Sequence, residues 1–134
     1  MGYTSETAIT IENEAFREMI VKAKAECTEA FEFIKSASIY RTDKFTTLHF
    51  DWVKWYEDYE DVKFIEDFIR DIPYVFRRIG EEWDDIDSHE GEGTDYDMYD
   101  CIQTIRRLDL DGAGEIIMID EEGGETDGYL RQAG

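Results

Sequence analysis

Phe16, Ile20, Ala23, Cys27, Ala30 or Phe31, and Ile34 recur at intervals of three and four, and no other pattern restricts the fold of this chain as much. Residues at that spacing share one side of an α-helix, so the stripe predicts a helix over about 14–37 that lays this side on an apolar core. Arg17, Lys22, Lys24, Glu26, Glu29 and Glu32 fall mostly off the stripe. Asn13 is the expected N-cap, with Glu14 and Glu18 near the positive end of the helix macrodipole.

Elsewhere the apolar period changes, and each change marks an element. Thr7 to Ile11 alternates as a short strand. From Phe45 to Tyr56, Leu48, Phe50 and Trp52 share one parity while His49, Asp51 and Val53 take the other, which predicts a strand with one buried face and an outward His49. Val62, Ile65, Phe68, Ile69 and Ile72 return to helical spacing, and Pro73, the only proline, closes that helix. Tyr74 to Ile79 is the next expected strand. Residues 81–100 read as an acidic connection, too charged to be buried. Cys101–Leu110 and Glu115–Ile119 are expected to form a hairpin about Asp111-Gly112-Ala113-Gly114, followed by a Gly-rich flexible tail over 121–134. With 134 residues, 42% of them hydrophobic, the chain can bury one core. The expected fold is α+β: a small antiparallel sheet packed against two helices in a single compact domain, 1–134.

The formal net charge is −20, from 34 acids and 14 bases. Acidic disordered tails are poor in aromatics, whereas this chain carries eight Phe, eight Tyr and three Trp, so its acids are mounted on a folded body. They are unevenly spread: residues 1–56 carry nine acids and seven bases, 57–100 carry seventeen and four, and 101–134 carry eight and three. Duplex DNA bears one charge per roughly 1.7 Å, so the net −13 of the middle segment corresponds to roughly 22 Å of duplex. Such a surface repels nucleic acid and anionic membranes and attracts proteins whose own surfaces bind DNA or RNA. Direct nucleic-acid binding and membrane binding are therefore not expected. The residues expected to meet a basic partner are Glu57, Asp58, Glu60, Asp61, Glu66, Asp67, Glu81, Glu82, Trp83, Asp84, Asp85, Asp87, Glu90, Glu92, Asp95, Tyr96, Asp97, Tyr99 and Asp100. A homodimer would have to use the N-terminal third, where the net charge is only −2.

Catalytic and metal motifs are weak. Asp109-Leu110-Asp111-Gly112-Ala113-Gly114-Glu115-Ile116, with Asp120 beyond it, matches part of an EF-hand loop, but Ala113 stands where an oxygen ligand belongs and Asp120 replaces the long bidentate Glu. Asp109, Asp111, Glu115 and Asp120 are thus weak metal candidates beside a simpler reading as a turn. Two Cys and two His scattered along the chain make no zinc motif, and Ser88-His89 lacks a glycine-flanked elbow. Neither an enzyme nor a cofactor is expected. Cys27 and Cys101 read as reduced, buried thiols. Met1 to Glu6 shows neither a basic n-region nor an apolar h-region, so the expected compartment is the cytoplasm.

In size, charge and aromatic-rich body, the chain resembles the small acidic proteins with which phages and mobile elements occupy DNA-binding surfaces of restriction enzymes, CRISPR nucleases or repair enzymes. The resemblance covers composition and the acidic 57–100 region. It implies a non-enzymatic DNA-mimic inhibitor of anti-restriction or anti-CRISPR type, acting in the host cytoplasm on a basic nuclease, CRISPR effector or restriction enzyme. Two alternatives share the same charge: an acidic immunity protein that neutralises a basic nuclease toxin through aromatic anchors such as Trp83, Tyr96 and Tyr99, and an acidic domain that binds divalent cations.

Overall fold

Strand β1 (Ser5–Glu12) is buried along its whole length except at Glu12, which requires cover on both faces. The computed structural model describes residues 3–104 and 108–127 and shows how that cover arises. β1 pairs antiparallel with β3 (Phe45–Val53) on one side and β4 (Tyr74–Gly80) on the other. β2 (Ser38–Arg41), β5 (Ile86–Glu90), β8 (Glu115–Ile119) and β9 (Glu125–Asp127) complete a seven-stranded antiparallel sheet in the order β5-β4-β1-β3-β2-β8-β9. The fold is α+β, in one small domain.

Three helices cover the first face: α1 (Asn13–Glu26), α2 (Thr28–Ser36) and α3 (Glu60–Ile69). Ile9, Leu48, Phe50 and Phe76 of the sheet meet Phe16, Met19, Ala23, Ile34, Val62 and Ile65 of the helices in the larger core. Phe33 stacks on Phe50 at 4.4 Å, and Trp55 lies 5.3 Å from Phe50 and 5.9 Å from Phe76, which closes the aromatic end of this layer.

The expected helix over 14–37 is broken at Cys27, whose extended backbone (φ −148°, ψ 90°) ends α1 and begins α2. An unbroken helix of that length would run about 36 Å, whereas eight residues of strand span about 27 Å. The break keeps both apolar sides on the sheet. Asn13 is not the N-cap, a position taken by Glu12. Its side chain instead donates to the carbonyls of Thr42 and Asp43 and accepts from Thr46 Oγ1 (2.7 Å), tying α1 to the β2–β3 turn.

The second face corrects the larger expectations. Ala8, Phe45, Val75 and Ile79 are covered by Met98, Cys101, Ile102, Leu108 and Ala113 in a smaller core. These come from α4 (Tyr96–Tyr99), the two-residue strands β6 (Gln103–Thr104) and β7 (Leu108–Asp109), and a 3-10 turn at Asp111–Ala113. The acidic connection 81–100 therefore contains an edge strand, β5, and a buried anchor, Met98, which is fully inaccessible to solvent. His49 faces this covered side, with its side chain 12% exposed, and does not point outward. Trp52, expected inside, is 46% exposed.

The expected hairpin of 101–110 with 115–119 does not form. β6 pairs β7, while β8 pairs β2 and β9. The glycine at 112 serves packing: a Cβ there would lie 2.0 Å from the Asp100 carbonyl oxygen. The tail expected from 121 supplies β9, and its residues 128–134 lie outside the described residues.

Met98 tests whether the second layer is a packed core. Met98→Ala should lower the unfolding free energy by about 2–5 kcal/mol, as core truncations do, measured by urea denaturation. A loss below about 0.5 kcal/mol, typical of surface sites, would mean that this layer is loose.

Candidate functional site

β4 places Arg77 and Arg78 on opposite faces, and the two guanidiniums organise the acids around them differently. Arg77 donates to Glu90 (2.9 Å) on the second face and lies 6.0 Å from the Tyr99 ring. On the helix face, Arg78 donates to Asp85 (2.7 Å), Asp87 (2.7 Å) and Ser5 Oγ (2.8 Å), with its side chain only 14% exposed. Tyr3 Oη adds a hydrogen bond to Asp85 at 2.6 Å. The β4–β5 loop closes through the Gly80 N–H on the Asp85 carbonyl, and a Cβ at 80 would lie 2.0 Å from the Asp85 carboxylate, so any larger residue there would push that carboxylate from its place.

These groups line a cleft of about 530 Å³ at the β4–β5 end of the helix face. Trp55, Tyr56, Phe76 and His89 give it aromatic surfaces, and Glu57, Glu66, Asp85 and Asp87 oppose the one guanidinium of Arg78. His89 stacks on Phe76 at 4.4 Å, with Nδ1 2.8 Å from Tyr74 Oη, and Glu66 accepts from Trp55 Nε1 at 3.2 Å. Four carboxylates over aromatic faces suit a guanidinium or ammonium group, held by ion pairing and cation–π attraction.

The acids of 57–100 divide by what they touch. Asp67 pairs with Lys63 (2.7 Å) and Arg70 (2.5 Å), and Asp97 with Lys44 (3.6 Å). Glu81 accepts from the Thr4 N–H and hydroxyl, Asp95 caps α4 through the Asp97 N–H (3.0 Å), and Asp61 accepts from the Val62 N–H (2.7 Å). By contrast, the side chains of Glu57, Asp58, Glu60, Glu82, Asp84, Glu92 and Asp100 have no hydrogen-bond or ion-pair partner among the described residues. Trp83 and Tyr96 are each 90% exposed. The segment is not one surface: Glu57 to Asp61 lead into α3 on the helix face, Glu82 to Asp84 form the tip of the β4–β5 hairpin, and Asp95 to Asp100 lie with α4 on the second face.

Arg78, Tyr3, Trp55, Tyr56 and His89 were not among the expected site residues. Their signal in the sequence was consecutive arginines in an otherwise apolar strand, followed within ten residues by acids at 85 and 87. Of the weak metal candidates, Asp109 accepts from the Asp111 N–H (3.0 Å), and Asp120 from the N–H groups of Glu122 (2.9 Å) and Gly124 (2.8 Å). These carboxylates shape turns. Asp109, Asp111, Glu115 and Asp120 form no three-ligand group among the described residues; Glu6, His49 and Asp51 do.

Hydrogen bonds from Arg78, then from Tyr3, hold the Asp85 carboxyl below the usual aspartate range. Burial works against the charge on Arg78, but its bonds to Asp85 and Asp87 outweigh that effect and keep the guanidinium protonated. No helix among the described residues is long and apolar enough to cross a membrane. Comparison with protein-family models, curated proteins and solved structures finds no match to this chain.

Two stability measurements follow from these charges. A carboxyl depressed on folding contributes stability above its unfolded value, about 3.9, and loses it as pH falls through the folded value. Asp85→Asn should therefore lower the thermal midpoint at pH 7, with the gap to wild type closing as pH drops below about 4. A gap independent of pH would mean that Asp85 acts through shape alone. Self-repulsion should also make salt stabilising: raising ionic strength from 0.01 M to 0.1 M shortens the screening length from about 30 Å to about 10 Å. The midpoint should rise, and a fall would show that ion pairs outweigh repulsion.

Proposed function

We propose that the protein is a non-enzymatic inhibitor that binds the basic nucleic-acid-binding surface of a nuclease or other DNA- or RNA-processing enzyme, as a DNA mimic of anti-restriction or anti-CRISPR type. The observation that carries this reading is the seating of the acids. Glu82 and Asp84 are exposed at the tip of a hairpin pinned by the Arg78 pairs, and Glu57 and Asp58 are exposed near it in the turn that leads into α3. Binding through such groups requires little ordering, and the cleft between them suits an arginine or lysine of the partner. The free thiols of Cys27 and Cys101 fit a reducing cytoplasm, the host's if the chain is phage-encoded.

Exposure of Trp83 and Tyr96 favours a second reading, an immunity protein that seats aromatic anchors in a basic toxin nuclease. The two readings differ in which groups carry the energy. Capture from a host lysate at low and high salt, followed by a DNA-competition assay on the retained protein, tests the first. A basic nucleic-acid enzyme should be retained, released by salt and displaced by DNA. The variant with Glu57→Lys, Asp58→Lys and Asp84→Lys should lose binding by about tenfold or more through slower association. These positions spare Asp85 and Asp87, whose replacement would also break the Arg78 pairs. Retention that ignores both salt and these reversals would overturn the decoy reading. If Trp83→Ala instead costs about 2 kcal/mol or more while the reversals alter only the rate of association, the immunity reading stands.

A further inference from the structure

We propose that Glu6, His49 and Asp51 bind one divalent transition-metal ion, zinc in preference to magnesium or calcium. The site lies on the second face of the sheet, where β1 meets β3. Ala8 pairs with His49, so Glu6 and His49 share a face, and Asp51 follows His49 by two residues. Glu6 is paired differently from its neighbours. Ser5 opposes Val53 and Thr7 opposes Phe50, so the single residue Glu6 faces the two residues Asp51 and Trp52 across a β-bulge. Trp52 takes φ +55°, the only positive φ at a non-glycine residue among those described. The bulge turns the Trp52 side chain to solvent and leaves Asp51 beside the other two ligands.

The donor set is specific in its chemistry. Glu6 is only 2% exposed, and an isolated carboxylate at that depth is strongly disfavoured unless a cation meets it. Its Oε2 lies 2.7 Å from His49 Nε2, while its Oε1 accepts the Leu108 N–H at 3.2 Å, which fixes the orientation of the carboxylate. One atom from each of Glu6, His49 and Asp51 lies within 4.8 Å of the others. A tetrahedral zinc ion with bonds of about 2.1 Å separates its ligands by about 3.4 Å, so Glu6 and His49 need open by only roughly 0.7 Å to admit it. Asp51 is exposed and has no partner among the described residues, so it is free to complete the set.

An imidazole nitrogen with two carboxylate oxygens suits zinc, manganese or iron(II), and the usual order of affinities puts zinc above manganese. Magnesium and calcium prefer all-oxygen sites. Three protein ligands leave a position for water, on the side where Asp51 meets solvent. The charge of −20 raises the local concentration of cations, which would also produce weak, diffuse binding, so the test must separate the two.

The experiment is zinc titration of chelator-stripped protein against a chromophoric competitor, in millimolar magnesium to saturate diffuse sites. Cobalt(II) serves as the spectroscopic probe of coordination. Wild type should take up one equivalent of zinc, and cobalt should give visible bands of low coordination number. Asp51→Asn and His49→Gln should each weaken binding by about tenfold or more, while Asp71→Asn, at an exposed acid outside either proposed site, leaves it unchanged. Asp51 is exposed, so its variant keeps the fold and decides the matter even if His49→Gln is destabilised, as circular dichroism would show. Zinc uptake that magnesium abolishes, or that Asp51→Asn leaves unchanged, would overturn the site and leave Glu6 and His49 as a hydrogen-bonded pair. The proposed inhibitor function does not depend on either result.

Discussion

The structure depends on the burial of β1 from both sides. A central strand covered on both faces must supply two different faces of its own, and β1 does so by alternation. Ile9 and Ile11 enter the larger core beneath the helices, while Ala8 faces the smaller core and Thr10 bonds Thr47 at 2.7 Å beside it. The second side is small and hydroxylic because the layer above it is thin. α4, two short strands and one 3-10 turn come close to the sheet, and bulky residues along β1 would hold them off. Glu6 is the one buried ionisable residue of this strand, and it lies at the end where the layer opens towards Asp51.

This two-sided burial explains where sequence reading succeeds and where it stops. Helix α3 was legible from its apolar stripe, although it ends at Ile69 and leaves Ile72, expected within it, in the turn before Pro73; β4 was legible because Val75, Phe76 and Ile79 left few alternatives. The break at Cys27 was not legible, because apolar spacing continues through it; the length of the sheet underneath, a tertiary quantity, decides the matter. His49 keeps the parity expected of it and is buried only because a layer covers that face, whereas Trp52 was misassigned for a related reason. Parity along β3 holds only until the bulge, and the bulge depends on pairing with β1, which lies some forty residues away. The covering layer was hidden by composition, since Met98, Cys101, Ile102 and Leu108 are few among acids and are not periodic. A chain segment can be acidic on average and still supply half a core.

The acids were legible as a class but not in their arrangement. Charge counting treats Asp85 and Asp84 alike, yet one is bound to Arg78 and Tyr3 while the other faces solvent without a partner among the described residues. The paired acids stiffen the frame, and the unpaired ones give it its field. Consecutive arginines in β4 make this possible because alternate strand residues point to opposite faces. Arg77 therefore secures Glu90 on one face, and Arg78 secures Asp85 and Asp87 on the other.

That frame restricts how a basic partner could sit on the protein under the proposed reading. The acids before α3 and those around α4 occupy opposite faces of the sheet, so a flat cationic surface could engage only one group. The tip of the β4–β5 hairpin lies between them at the edge of the sheet, and all five residues of β5 are exposed. Only a partner that encloses this edge could reach both groups, as a protein groove encloses a duplex. Glu82, Trp83 and Asp84 would then lie deepest in the groove, where the surrounding low-dielectric walls strengthen each ion pair. The edge strand also resists the other way of engaging it, by strand addition, because Asp87 and Glu90 place charge along it. The hairpin thus divides the two tasks: the unpaired acids at its tip would draw a cationic groove over it, while Asp87 and Glu90, held by Arg78 and Arg77, keep β5 from pairing with another chain.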